Sequence, residues 1–313
     1  MRNQFILSLI LLLTTLLSPQ FTLAEDGSSL AAAQTGITAN PPRGTLYQVR
    51  YHGRTSYIFG TIHVGKSEFF PLEPRATEGL AKADVLAIEV DMRDATALQN
   101  AMLKYGVYPN SDSVDRHISA AAAQRMKTAL QNIGLPYEGV AHFKPWMIAN
   151  LITIASVEKQ GYHTDQSSES FLLDTAKAQD KNVVGLESAA FQLSLFEKLN
   201  EKQQESYLVE SLDDLESGDT AKKTRDLLDA WSKADEAAFD GLLLEAKNDK
   251  TVNGEFVYRE LLAKRNPMMA ARIATLMKEN KSVFVGIGLL HLLGPDGVPQ
   301  LLKKKGYEVT RLY

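Results

Sequence analysis

The hydrophobic pattern of this chain predicts six short β-strands, separated by longer stretches with helical periodicity. Runs of apolar, β-prone residues that are bounded by turn residues are typical of buried strands. Helical patterns fill most of the sequence between these runs, and residues 189–280 contain few turn signals. The predicted strands lie at residues 46–51, 55–60, 85–91, 183–188, 283–287 and 307–312.

Two of the predicted strands end in the same tetrad of glycine, two further residues and histidine. One tetrad occupies residues 60–63 and ends in His63, and the other occupies residues 288–291 and ends in His291. Glycine permits close backbone approach at each strand tip. If both strands belong to one sheet, the two imidazoles converge, and convergent imidazoles indicate a metal site or an acid–base pair.

Carboxylates accompany two other predicted strands. Glu89 interrupts an apolar run at residues 85–91, and a buried carboxylate is costly unless it is paired or binds a metal. The alternative is that Glu89 lies at the strand end and faces solvent. Glu187 ends the run at residues 183–188, where it is either a site residue or an acidic residue in the first turn of the next helix.

An arginine–asparagine pair, Arg265-Asn266, precedes an amphipathic segment at residues 268–278. The arginine side chain could bind an anion or a carboxylate in bidentate fashion, or it could be a surface cation. The methionines of the segment, Met268, Met269 and Met277, are expected to fill the core.

The four remaining histidines have no assigned role in a site. His52 lies in a predicted hairpin turn, and His117 precedes an alanine-rich helix, so both are expected at the surface. The sequence names no partner for His142 or His163.

The first 24 residues have the features of a secretory signal peptide. Arg2 provides a positive charge, residues 5–17 are apolar, and small residues precede a predicted cleavage site after Ala24. An uncleaved anchor is the alternative, but the apolar run is short for a membrane span. We therefore expect a periplasmic or secreted protein with no stable membrane span after cleavage. A flexible lead-in at residues 25–44 and a single domain at residues 45–313 with a mainly helical middle would follow.

The composition and the absence of several motifs exclude some classes of site and of enzyme. The chain has no cysteine, which excludes disulfides and thiolate ligands, and its formal net charge of −4 argues against general nucleic-acid binding. It lacks the His-Glu-x-x-His motif of common zinc peptidases, the Gly-x-Ser-x-Gly elbow of serine hydrolases and a glycine-rich phosphate loop.

Taken in order, these features resemble the TraB/GumN family, which is part of a wider Tiki-like group of proposed metalloproteases. The resemblance implies an α/β (α+β) fold, with a mixed sheet flanked by many helices and the Gly-x-x-His motifs meeting at one site. It also implies a divalent-metal-dependent peptidase chemistry. The matching segments are residues 59–65, 83–91, 145–146, 183–188, 192–193, 265–266, 269–270, 273, 285–292, 294, 297 and 306–307.

The first functional hypothesis is a metal-dependent hydrolase acting on a peptide or a small molecule. His63, His291 and Glu89 would bind Mn, Fe, Co or Zn and leave positions open for water. Glu187 would be a further ligand or the general base.

In the same hypothesis, Arg265 and Asn266 would bind a substrate carboxylate or stabilise the oxyanion. The second hypothesis is a ligand-binding protein that holds haem or a similar group between the histidines, with Tyr57 or Tyr307 contributing. The third is a catalytically silent, partner-binding protein whose histidines are hydrogen-bonded inside the core.

Overall fold

The structure, a computed structural model, describes residues 40–279 and 281–313. The predicted signal peptide and most of the predicted lead-in lie outside the described residues. A six-stranded mixed sheet with the strand order β4-β3-β5-β2-β1-β6 forms the centre of the described part. The strands are β1 (Leu46–Tyr51), β2 (Arg54–Thr61), β3 (Val85–Ile88), β4 (Asn182–Gly185), β5 (Val283–Gly288) and β6 (Glu308–Arg311).

Four neighbouring strands of this sheet are parallel. β5 lies between β2 and β3, and β4 pairs with the far side of β3. The carboxyl ends of these strands are in register, with Thr61 opposite Gly288, and with Ile88 opposite both Gly286 and Gly185. The segments that follow all four strands therefore leave the sheet at the same edge, where open α/β sheets bind their ligands. β1 pairs antiparallel with β2 and with β6.

The central strands β3 and β5 form where they do because the middle of the sheet is covered on both faces. Every residue of β5 is buried. Successive side chains such as Phe284 and Val285 point to opposite faces of the sheet and belong to different hydrophobic clusters. Near-continuous apolar runs are expected for strands that are buried on both faces.

Helices cover the two faces unequally. The final two helices, α11 (Arg265–Lys278) and α12 (Val298–Lys304), contribute to the smaller cluster, and the earlier helices pack mainly on the larger one. A π-helix at Val257–Ala263 leads towards α11. The earlier helices are α1 (Pro74–Lys82), α2 (Ala95–Tyr105), α3 (Ala120–Ile133), α4 (Pro145–Glu158), α5 (Ser168–Ala178), α6 (Ala189–Ser194), α7 (Glu201–Ser217), α8 (Asp219–Ser232), α9 (Glu236–Asn248) and α10 (Val252–Phe256).

The predicted fold class is confirmed, because the described chain combines a mixed sheet with many helices. One packing expectation was wrong. Met269 and Met277 are buried, but Met268 is 50% exposed, because it lies on the solvent side of α11. None of the described helices is both long and apolar enough to cross a lipid bilayer.

Candidate functional site

A small pocket lies at the carboxyl edge of the parallel strands. Its volume is about 40 Å³, which is room for a few water molecules. The side chains of His63, Glu89 and His291 supply its ionisable groups, and leucine side chains form much of its remaining wall. The lining residues are Thr61, Ile62, His63, Val64, Glu89, Leu227, Leu228, Leu262, Gly288, Leu289, Leu290 and His291.

The three ionisable side chains surround Gly288. A Cβ atom built on this glycine would lie 3.1 Å from Glu89 Oε1 and 3.3 Å from His63 Nε2, with His291 Cδ2 at 3.7 Å. The missing side chain of Gly288 is therefore what allows the two histidines and the carboxylate to approach each other. This contact brings together residues from the ends of three different strands.

Glu89 is fixed by hydrogen bonds to both of its oxygens. Oε1 accepts from the Gly288 N–H at 2.7 Å, and Oε2 accepts from Arg265 Nη2 at 2.6 Å and from Gln192 Nε2 at 3.3 Å. Burial by itself would raise the pKa of Glu89, but His291, Arg265, His63 and the Gly288 N–H together hold that pKa well below its usual range. The carboxylate is therefore ionised at neutral pH.

His291 is held by an amide. Asn266 donates from Nδ2 to the Asp296 carbonyl at 2.9 Å, so its Oδ1 is the atom that lies 2.6 Å from His291 Nδ1. An amide oxygen only accepts, so Nδ1 carries the imidazole proton and Nε2 has a free lone pair. Nε2 lies 3.6 Å from Glu89 Oε1. Burial lowers the pKa of His291 to about 3, so the imidazole is neutral at pH 7.

His63 lies against a carboxylate from α5. Its Nδ1 is 2.7 Å from Glu169 Oε1, although the N–H is not aligned along that line. Burial by itself would lower the pKa of His63, but the Glu169 carboxylate raises that pKa above its usual value. His63 Nε2 is the nitrogen that faces Gly288 and the pocket.

A buried ion-pair network lies behind the pocket. Arg265 donates from Nε and Nη2 to Glu187 at 2.7 to 3.1 Å, and from Nη1 to the Leu261 carbonyl at 3.0 Å. Gln192 Nε2 donates to Glu187 Oε2 at 2.9 Å as well as to Glu89. Arg265 and Glu187 are each only 4% exposed at the side chain, so their charges balance each other inside the protein.

The side chains of His63, His291 and Glu89 are suitable ligands for a divalent metal. In the described part of the chain, no group of three or more His, Asp or Glu side chains stands ready in metal-binding geometry. Both histidines nevertheless have the arrangement found in metal ligands, with Nδ1 against a side-chain oxygen and Nε2 turned towards the pocket. The pocket-lining Thr61 Oγ1 is buried and has no hydrogen-bond partner among the described residues. Two imidazoles and a carboxylate are donors that suit Mn, Fe, Co or Zn.

The structure thus separates the sequence-predicted site residues into two groups. His63, Glu89 and His291 line the pocket, whereas Glu187, Arg265 and Asn266 bind the pocket residues or each other from behind.

Sequence reasoning missed Glu169 as a site residue and gave Gln192 no chemical role. Glu169 is an ordinary first-turn acidic residue of α5, and no spacing connects it with a histidine 106 positions earlier. Gln192 appeared only as a position of the family pattern, because its contact with two carboxylates depends on the tertiary fold.

The other four histidines lie outside the pocket. His117 contacts Asp112 and Glu201, and His142 contacts the Asp112 carbonyl. His52 occupies the β1–β2 turn with a φ of 46°, as expected for an exposed turn residue. His163 forms an isolated backbone bridge with Gly65, just after the first tetrad.

Relatives of the chain were found among both bacterial and vertebrate proteins. The protein YbaP of Shigella flexneri and that of Escherichia coli K12 are each 25% identical over 255 residues, covering 80% of this chain and 88% of theirs. Metalloprotease TIKI2 of Xenopus tropicalis is 24% identical over 319 residues, and metalloprotease TIKI1 of Danio rerio is 22% identical over 325 residues. This chain spans only 59% and 65% of the length of those two proteins. No solved structure matches the chain.

A family model also matches most of the chain. It covers residues 45–311 and therefore includes all six strands, both Gly-x-x-His tetrads and every residue of the pocket and of the network behind it. The chain belongs to the TraB/PrgY/gumN family.

Proposed function

We propose that this protein is a metal-dependent hydrolase that cleaves peptides or peptide-like small molecules after export from the cytoplasm. The observation that carries the proposal is the matched pair of histidines, each with Nδ1 against a side-chain oxygen and Nε2 turned to a pocket that also contains Glu89. Two vertebrate relatives named as metalloproteases support the peptidase assignment.

His63, His291 and Glu89 would hold the metal. A divalent ion bound there would supply Lewis-acid chemistry, lowering the pKa of a bound water and polarising a carbonyl. The neutral His291 offers a lone pair without first losing a proton, and the ionised Glu89 offers a negative charge. Its low pKa makes Glu89 a poor proton acceptor, so it acts as a ligand in this proposal.

The residues behind the pocket would position the ligands. Arg265 and Gln192 hold Glu89 Oε2, and Asn266 fixes the tautomer of His291. Arg265 is already neutralised by two carboxylates, so this proposal gives it an orienting role in place of substrate binding. Glu187 accepts hydrogen bonds from Arg265 Nε and Nη2 and thereby orients the guanidinium group that holds Glu89.

The size of the pocket favours this proposal over haem binding. About 40 Å³ accommodates water or an ion, whereas a porphyrin needs a cleft of several hundred Å³. The signal-peptide pattern in residues 1–24 is what supports export to the periplasm or the exterior.

A peptide-cleavage assay tests the proposed activity. The purified protein would be incubated with a mixed peptide library and Mn²⁺, Co²⁺, Fe²⁺ or Zn²⁺, and products would be identified by mass spectrometry. We expect metal-dependent cleavage that is lost in Glu89→Gln and His291→Ala and retained in the turn variant His52→Asn. Cleavage that persists in both pocket variants, or no cleavage with any of the four metals, would contradict the proposal.

A further inference from the structure

We propose that Glu169 is a positioning residue for His63: its carboxylate accepts a hydrogen bond from the Nδ1–H group, so that Nε2 presents a free lone pair to the pocket. This inference rests on the proposed function for its purpose, but the contact itself exists without a metal. It gives a role to a carboxylate that no sequence motif singled out.

Glu169 and His63 form an isolated pair. Glu169 Oε1 lies 2.7 Å from His63 Nδ1, and the two side chains are only 15% and 13% exposed. Neither Glu169 oxygen has a hydrogen-bond partner among the described residues, and His63 Nδ1 has no other candidate acceptor. No lysine or arginine in the described chain pairs with Glu169. Burial of a carboxylate without a partner costs free energy. The His63 imidazole is therefore the group that offsets the burial of Glu169.

Hydrogen bonds between Ser168 and Ile62 hold the backbone beside the pair. Ser168 Oγ accepts a hydrogen bond from the Ile62 N–H at 2.7 Å and donates to the Ile62 carbonyl at 3.1 Å. The Ser168 N–H also donates to that carbonyl at 3.1 Å. The residues directly before His63 and Glu169 are therefore fastened together, which fixes the distance between the two side chains.

The second histidine, His291, has a side-chain partner in the same position. Asn266 lies against His291 Nδ1 at 2.6 Å, as Glu169 lies against His63 Nδ1. The two oxygens come from different helices, α11 and α5. Outer partners of this kind set the ring orientation and the tautomer of metal-binding histidines. Both tetrads therefore end in a histidine with its own side-chain acceptor.

The experiment compares three variants in the purified protein. Glu169→Met removes the acceptor at similar length, and Glu169→Gln retains an acceptor oxygen without the charge. Asp174→Asn removes an exposed carboxylate from the same helix and is the matched control.

The first measurement is a long-range ¹H–¹⁵N spectrum of the metal-free protein above pH 8, with the His63 signals identified by their loss in His63→Gln. The second is a Co²⁺ titration followed by calorimetry.

We expect wild-type His63 to carry its proton on Nδ1. Glu169→Met should shift it to a mixture of tautomers, while Glu169→Gln and Asp174→Asn keep the wild-type tautomer. Co²⁺ affinity should fall by about tenfold to hundredfold in Glu169→Met. An unchanged His63 tautomer in Glu169→Met overturns the assignment, whatever happens to metal affinity. If wild type binds no metal but the tautomer depends on Glu169, the positioning role stands and the proposed function falls.

Discussion

At the scale of single residues, the positive charge of Arg265 compensates the buried carboxylates of the site. It is the cation shared by Glu89 and Glu187, and all three side chains are less than a tenth exposed. A buried ion pair contributes little compared with an apolar replacement of the whole group, but the removal of one partner leaves an uncompensated charge. The ligand carboxylate of the proposed metal site is thus stable only while Arg265 is present.

Replacement of Arg265 by methionine should therefore be strongly destabilising. We expect Arg265→Met to lower the free energy of unfolding by about 3–5 kcal/mol, because two buried carboxylates lose their cation. Urea denaturation measures this change. Arg265→Met/Glu187→Gln should recover part of the loss, since it removes one of the unpaired charges.

The matched control for this experiment is Arg259→Met. Arg259 lies six residues earlier, is 66% exposed at the side chain and, among the described residues, forms its ion pair with Glu255 at the surface. It should change stability by no more than about 0.5 kcal/mol. Equal effects of the two single substitutions would show that Arg265 does not carry the buried charge balance described above.

At the scale of elements, a second charged cluster joins a loop to a helix. His117, which follows a short 3₁₀ turn, contacts Asp112 in the preceding loop and Glu201 in the first turn of α7. The ring also stacks on Tyr108 with 4.1 Å between centroids. Partial burial by itself would lower the pKa of His117, but hydrogen bonds to Glu201 and Asp112 raise it above its usual value.

This raised pKa predicts a pH-dependent contribution to stability. The folded state holds the His117 proton more tightly than the unfolded state, so the contribution is fully present below the unfolded pKa of about 6.5. It is lost as the pH rises through the higher folded-state pKa. The stability difference between wild type and His117→Gln, measured by urea unfolding, should therefore be larger at about pH 6 than at about pH 8.5. A difference that stays constant, or the same trend in His52→Asn, would contradict this assignment.

The elements were more predictable than the contacts between them. The run at residues 283–287 predicted β5 closely because burial on both faces leaves a local apolar signature. The run at residues 46–51 predicted β1 from its β-prone residues and the turn that follows, although only Leu46 and Val49 of that strand are buried.

No local pattern indicates the π-helix before Arg265. The exposure of Met268 depends on which face of α11 packs on the protein, and the sequence prediction did not separate Met268 from the buried Met269 and Met277. The Arg265–Glu187 contact joins residues 78 positions apart. The sequence placed Glu187 at the end of a strand and Arg265 ahead of a helix, but it could not show that the two side chains form an ion pair.

At the scale of the whole molecule, the fold brings the two ends of the family domain together. β2 and β5 are more than 200 residues apart in the chain but are paired neighbours in the sheet. Parallel pairing puts both tetrads at one edge, and β3 between β5 and β4 adds Glu89 at the same edge. The intervening helices supply Leu227, Leu228 and Leu262 of the pocket wall and the residues that hold each histidine.

The bound metal content of the purified protein tests the central claim most directly. Wild type, His63→Ala and His291→Ala would be saturated with Mn²⁺, Fe²⁺, Co²⁺ or Zn²⁺ in turn, dialysed and analysed by elemental mass spectrometry, with His52→Asn as the control. We predict about one divalent ion per chain in wild type and His52→Asn, because two imidazoles and Glu89 face one pocket, and loss of the ion in both tetrad variants. Wild type that retains none of these metals, and whose thermal stability none of them changes, would contradict the account.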